Sequence, residues 1–214
     1  METTLELRWF VAGIPSVVVQ RWFKLECPGE LLEDEPEIRE DLYAAQNHPS
    51  DRLKACLSPS VVDREAVNLK LRQGNLELKL RQQELGIYRF GKIDDSAIWS
   101  GKIEQWCKYS QQDLQDSNLL TADLVNETSW LSVNKRREKK IYRNVKIELT
   151  DLKVQSDRWW SIAFEMALDS KNQLNEQHLR EVVEQAAKSY QGAKLLSHNS
   201  YSYTSWQNQF TTLD

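Results

Sequence analysis

Apolar and polar residues alternate one by one through much of this chain. "TLELRWFVA" at Thr4–Ala12 does so, and so does "VNLKLRQGNLELKLRQQ" at Val67–Gln83, interrupted only at Gln73-Gly74-Asn75. "GKIEQWCKYS" at Gly101–Ser110 repeats the pattern, and "TSWLSVNKRREKKIY" and "NVKIELTDLKV" follow. Successive side chains of a strand point to opposite faces, so this period of two predicts strands, with Gly74 in a hairpin turn. "WWSIAFEMAL" reads as a strongly apolar strand and "IREDLYAA" as a short one. Helical spacing is clearest where Leu179, Val182, Val183, Ala186, Ala187 and Tyr190 form one stripe, predicting a helix near Leu174–Tyr190 with a stop at Gly192. After Pro15, the positions Val17, Val18, Trp22 and Leu25 fit one helical face, while the three consecutive valines fit a strand. "LQDSNLLTADLVNE" holds a short helix, and the acidic "ECPGELLEDEPE" reads as a loop.

Seven or eight strands with a few helices define an α+β class that is mainly antiparallel β. The expected architecture is a barrel of about eight strands with helices packed outside, because closure removes exposed strand edges. A chain of 214 residues, 40% apolar and 28% charged, can build a core and is read as a single domain over residues 1–214. The net charge of −4 gives no overall attraction to nucleic acid or an anionic membrane, so an anion site has to be made locally. Cys27, Cys56 and Cys107 form neither a disulfide framework nor a zinc motif. With no apolar run near the ~20 residues that span a bilayer, and a charged opening "METTLELRWF", the expected location is cytoplasmic.

The alternating strands place charge on one face. That face offers Glu6 and Arg8, then Lys70 and Arg72, then Glu77, Lys79 and Arg81. Lys102, Glu104 and Lys108 follow, with Lys135 and Arg137, Lys146 and Glu148, and Glu165. A half-exposed sheet shows the same alternation with its polar face in water. In a closed barrel the face points inward instead, where buried cations call for an anion. A third arrangement turns Leu69, Leu71, Leu76, Leu78 and Leu80 inward, making a lipocalin-type barrel for an apolar ligand. The direction of the lysines and leucines separates these readings.

The ordered set of segments resembles the CYTH superfamily, the triphosphate tunnel metalloenzymes. Thr4-Leu5-Glu6-Leu7-Arg8 is similar to that family's opening ExExK strand. "LKLRQGNLELKLR" is similar to its basic hairpin, and Lys135-Arg136-Arg137 to its K-x-R element. "VKIELTDLKVQSDRWWSIAFE" is similar to its acidic closing strands, and the order runs over nearly the whole chain. The resemblance implies an eight-stranded tunnel that binds a small phosphorylated anion. Lys70, Arg72, Lys79, Arg81, Lys108, Lys135 and Arg137 would bind it, Glu6 and Arg8 would be catalytic, and Glu6, Glu104, Glu148 and Glu165 would hold Mg²⁺ or Mn²⁺.

The chain departs from the pattern at three places. Thr4 stands where the first Glu of ExExK belongs, and Ala163 where the closing strand commonly offers a second Glu. Arg8 replaces the motif's last Lys, keeping charge but changing geometry. The phosphate side is therefore intact and the metal side thinned. This leaves two functional readings, a metal-dependent triphosphate or polyphosphate hydrolase and a tunnel that binds its anion without hydrolysis. No Gly-rich phosphate loop, nucleophile elbow or HExxH helix is present.

Overall fold

The computed structural model describes residues 1–44, 66–93, 96–116, 128–168 and 175–211. Its strands are β1 (Glu2–Ala12), β2 (Glu30–Leu31), β3 (Glu37–Ala44), β4 (Val67–Arg72) and β5 (Asn75–Ile93). They continue with β6 (Ser96–Tyr109), β7 (Trp130–Tyr142), β8 (Val145–Val154) and β9 (Asp157–Ala167). The helices are α1 (Val17–Arg21, running into a wider π turn at Trp22–Glu26), α2 (Gln111–Asp116), α3 (Glu176–Ala187) and α4 (Tyr203–Thr211).

The strands run in the order β7-β3-β4-β5-β6-β1-β9-β8, and β8 pairs back onto β7. This is a closed, antiparallel eight-stranded barrel, with the short β2 added on β7. Two connections are two-residue turns with both residues at positive φ, Gln73-Gly74 (49° and 79°) and Arg143-Asn144 (49° and 64°). That geometry carries the right-handed strand twist through the turn, which explains Gly and Asn there.

The apolar core lies outside the barrel wall. Leu5, Leu7 and Trp9 of β1 and Ile162, Phe164 and Met166 of β9 face outward against α1 and α3. The stripe Leu179, Val182, Val183, Ala186 and Ala187 is wholly buried there, as its spacing predicts. The helix starts at an Asn175 cap, whose side chain accepts a hydrogen bond from the His178 amide. It ends at Ala187, before Gly192; Tyr190 then leaves the helix to pack edge-on against Trp22 and Trp99.

Two expectations change in detail. The segment after Pro15 is helical, with Ser16 as its cap, but it buries Val19, Trp22 and Phe23 and leaves Val17, Val18 and Leu25 exposed. Widening into a π turn rotates Phe23 onto the barrel. The strand of the Gly101–Ser110 stretch begins earlier, at Ser96, and β5 runs nineteen residues through bulges near Arg81–Gly86. The tail also folds as a helix, α4. Leu174, Cys56 and most of "LQDSNLLTADLVNE" lie outside the described residues, although α2 covers that segment's start. No helix among the described residues is long and apolar enough to cross a membrane.

Candidate functional site

With the apolar residues facing out, the alternate set faces in. Leu69, Leu76, Leu78 and Leu80 pack outside with Leu114 of α2, whereas Lys70 and Lys79 line an internal cavity. The lipocalin-type reading, which needs those leucines inside, does not hold.

The cavity offers about 80 Å³ of free space. A water needs roughly 10–15 Å³ of such space, so the lumen takes a handful of waters or one small polar group as it stands. Arg8, Arg39, Lys70, Lys79, Lys102, Lys135 and Arg137 line it, against the carboxylates Glu6, Glu104 and Glu165. The remaining lining is polar and aromatic, and Ser200 to Tyr203 arrive from the C-terminal segment.

Strand register explains this convergence. Glu6 of β1 stands opposite Glu104 of β6 on one side and Glu165 of β9 on the other, so three carboxylates form one row across the wall. Lys146 follows Glu165 in the same row. Cations from the flanking strands β5 and β8 close onto them. Lys79 reaches Glu6 at 2.5 Å and Glu165 at 3.5 Å, Lys146 reaches Glu165 at 3.0 Å, and Arg81 reaches Glu104 at 2.7 Å. Burial alone would lower Lys79, but Glu6 and Glu165 outweigh it and hold its ammonium above the ordinary range.

A second network fills the opposite wall. Glu148, 2% exposed, takes Arg137 at 2.9 Å and Arg8 at 3.4 Å. Burial pushes its carboxyl up, but the two guanidinium groups prevail and lower it. Arg137 also holds Glu37 at 2.7 Å, and Glu37 receives Arg39 at 2.6 Å and Arg72 at 3.2 Å. Asp41, fully buried, holds Lys135 at 2.9 Å and Arg39 at 3.1 Å. Lys70 pairs with Glu77 at 2.9 Å. Burial carries Lys135 down to about 7 and Lys70 down to about 8, with Asp41 and Glu77 respectively opposing the fall.

The far end of the lumen is closed. Phe10, Leu131, Val133, Leu152 and Val154 point inward there and pack on Trp206 of α4. Phe10 and Trp206 stack at 4.5 Å between centroids, 6° from parallel. Tyr203 stacks on Tyr43, with the Lys135 ammonium 4.0 Å and the Arg8 guanidinium 4.8 Å from its ring centroid. Such contacts satisfy a cation partly, through the negative face of the ring.

Of the residues named from sequence, the structure gathers Glu6, Arg8, Lys70, Lys79, Glu104, Lys135, Arg137 and Glu165 around the cavity. Glu148 sits behind Arg8 and Arg137. Arg72, Arg81 and Lys108 lie beside the cavity, holding Glu37, Glu104 and Glu77. Sequence reasoning missed Arg39, Asp41, Tyr43 and Tyr203. The first three alternate with Glu37 in "EIREDLYA", and that period of two is the signal that could have found them. Ala163 stands in register between Glu148 and Arg8, and the Thr4 hydroxyl donates to Glu6.

Glu6, Glu104, Glu148 and Glu165 do not fit a divalent cation as arranged. Among the described residues no three His, Cys, Asp or Glu side chains are grouped so as to hold a metal ion. The donors are spread along the wall and each is engaged by Lys or Arg, whereas Mg²⁺ asks for near-octahedral oxygens at close range.

No protein-family model matches the chain, and no curated protein matches it. Solved structures do align with it. The PH1012 protein of Pyrococcus horikoshii OT3 aligns at 13% identity and a TM-score of 0.46, covering 94% of this chain and 98% of that one. A putative adenylate cyclase of Bacillus halodurans aligns at 12% identity and 0.42, covering 86% and 88%. The Pct1 RNA triphosphatase of S. pombe aligns at 12% identity and 0.42, covering 85% and 80%.

Proposed function

We propose that the barrel binds a small phosphorylated anion, of the triphosphate or short polyphosphate class, inside its lumen. One observation carries the reading. Seven cationic side chains face the cavity against three carboxylates, in a chain whose net charge is −4. Each of the seven is paired, but Glu37, Asp41, Glu77 and Glu148, which hold five of them, do not line the cavity, so the cations and not those partners front the lumen.

The chemistry is exchange. An oligophosphate brings many acceptor oxygens at close spacing, which suits the forked guanidinium groups of Arg8, Arg39 and Arg137. Lys70 and Lys79 swing from Glu77 and from Glu6 and Glu165 onto phosphoryl oxygens. The lumen widens as those pairs part, which its small free volume requires. The reading is of binding; as no metal fits the carboxylates, no hydrolytic step is assigned.

The test is thermal unfolding with added tripolyphosphate. Ligand at ~100 times its dissociation constant adds about 2.7 kcal/mol, a shift of several degrees. The parent and a Lys153→Gln control, changed on the exposed outer face, should both shift. Lys70→Gln combined with Lys79→Gln should shift far less. A parent unmoved by millimolar tripolyphosphate refutes the reading.

A further inference from the structure

The C-terminal segment reaches the lumen, and Tyr203, the first residue of α4, does something specific there. Tyr203 lies flat on Tyr43, 12° from parallel at 5.2 Å, and its ring lies over Lys135 and Arg8. Behind it, Trp206 and Phe10 fill the bore. Hydrogen bonds fix the segment at its start: the Ser200 hydroxyl donates to the Arg8 carbonyl and accepts from the Lys102 amide. The Ser202 hydroxyl meets both Thr204 and Ser205. The ring is therefore held as a wall across the lumen, beyond the side of Arg8 and Lys135 that faces the cavity, where an anion's chain would otherwise run on.

We propose that Tyr203 sets the depth of the tunnel, so that the protein reads the free end of a linear phosphorylated anion and counts a fixed, short number of phosphoryl groups. This rests on the anion-binding reading above. A barrel open at both ends could be threaded, and each added phosphoryl group would add contacts. A blind one gains only until the chain end reaches the ring. A longer chain then leaves its surplus in solvent, and a cyclic phosphate, having no end, is disfavoured.

The experiment is calorimetric titration of the parent, Tyr203→Ala and Tyr203→Phe with pyrophosphate, tripolyphosphate, tetrapolyphosphate, long-chain polyphosphate and cyclic trimetaphosphate, in molar units of chain. In the parent, affinity should rise with length to a plateau, with trimetaphosphate well below tripolyphosphate. Tyr203→Phe should keep that plateau. Tyr203→Ala frees the space over Lys135 and Arg8 and should move the plateau to a longer chain, with roughly a tenfold gain for that chain from one more charge-assisted contact. An unchanged plateau in folded Tyr203→Ala overturns the depth assignment and leaves anion binding standing. If that variant does not fold, Tyr203→Leu takes its place, and the parent alone still decides. Parent affinity that keeps rising through long-chain polyphosphate shows there is no end wall. Binding of none of the anions by any variant or the parent sinks both readings together.

Discussion

Replacing Asp41 by Asn removes the charge at the most enclosed point of the lumen and leaves the shape almost unchanged. Asp41 is fully buried; it holds Lys135 at 2.9 Å and Arg39 at 3.1 Å and accepts from the Tyr43 hydroxyl at 3.4 Å. Arg39 keeps Glu37 at 2.6 Å after the change, so its loss is partial. Lys135, 4% exposed, keeps only the Tyr43 hydroxyl and two aromatic rings. Removing one partner of a buried pair costs about 3–5 kcal/mol. That cost depends on pH. The Lys135 ammonium, driven down to about 7 by burial, lies below its ordinary value. The unfolded chain therefore binds more protons than the folded one above that point, and this group favours folding as pH rises. Losing Asp41 lowers Lys135 further. Below pH 7 the variant must either hold an unpaired ammonium or give up the proton, whichever costs less. Near pH 9 Lys135 is neutral in both proteins and the difference shrinks. Urea unfolding of both proteins at pH 6 and pH 9 measures this. The expected loss is about 3 kcal/mol at pH 6 and smaller at pH 9 by up to about 1.4 kcal/mol, the most that a group held at about 7 contributes one pH unit below that value. A loss below about 1 kcal/mol at pH 6, or equal losses at both values, would show that Lys135 does not depend on Asp41 for its charge.

Two further outcomes follow from the same geometry. Because the carboxylates are committed to lysines and arginines, tripolyphosphate should stabilise the protein equally with Mg²⁺ and with excess chelator, read by thermal melts; a shift that disappears on chelation would mean that metal is part of the bound state. Binding should also weaken as pH rises from 6.5 to 9, because an anion restores the ammonium forms of Lys135 and Lys70, which burial has brought to about 7 and about 8; titrations in buffers of different ionisation enthalpy should report proton uptake at pH 8, and none taken up would contradict the placement of those lysines against the anion.

The barrel was legible because its two periodicities do not overlap. In Val67–Gln83 the leucines fall on one parity and the charges on the other, and that single fact decides which face meets α2 and which meets the lumen. The helix stripe from Leu179 to Ala187 was equally plain. β3 was harder. Glu40 interrupts the outward parity of "EIREDLYA", and eight residues are too few to outvote it, so Arg39 and Asp41 went unrecognised. In the tail, Tyr203, Trp206 and Phe210 recur at three and four residues, which is a helical stripe. Nothing local states that this stripe ends a tunnel, since its partners Phe10, Tyr43 and Val133 come from three distant strands. The pairing of charges is also hidden from sequence. It depends on register between strands far apart in the chain, as in Glu6 against both Glu104 and Glu165.

That hidden pairing explains why so many carboxylates belong in a lumen built for an anion. A barrel closing over cations alone would face their mutual repulsion and the cost of desolvating each one, and would be unstable whenever the ligand was absent. Glu6, Glu37, Asp41, Glu148 and Glu165 remove most of that cost by standing in for the ligand. They also limit affinity, because an incoming phosphoryl oxygen replaces a carboxylate and does not fill a vacancy. What favours the exchange is that these cations front the cavity while Glu37, Asp41 and Glu148 do not. Here the aromatic rings of Tyr43 and Tyr203 have a distinct part. Over Lys135 and Arg8 they give a cation some stabilisation without a full negative charge. Lys135 and Arg8 also keep Asp41 and Glu148, so an anion that takes over one contact leaves each cation still held on its ring.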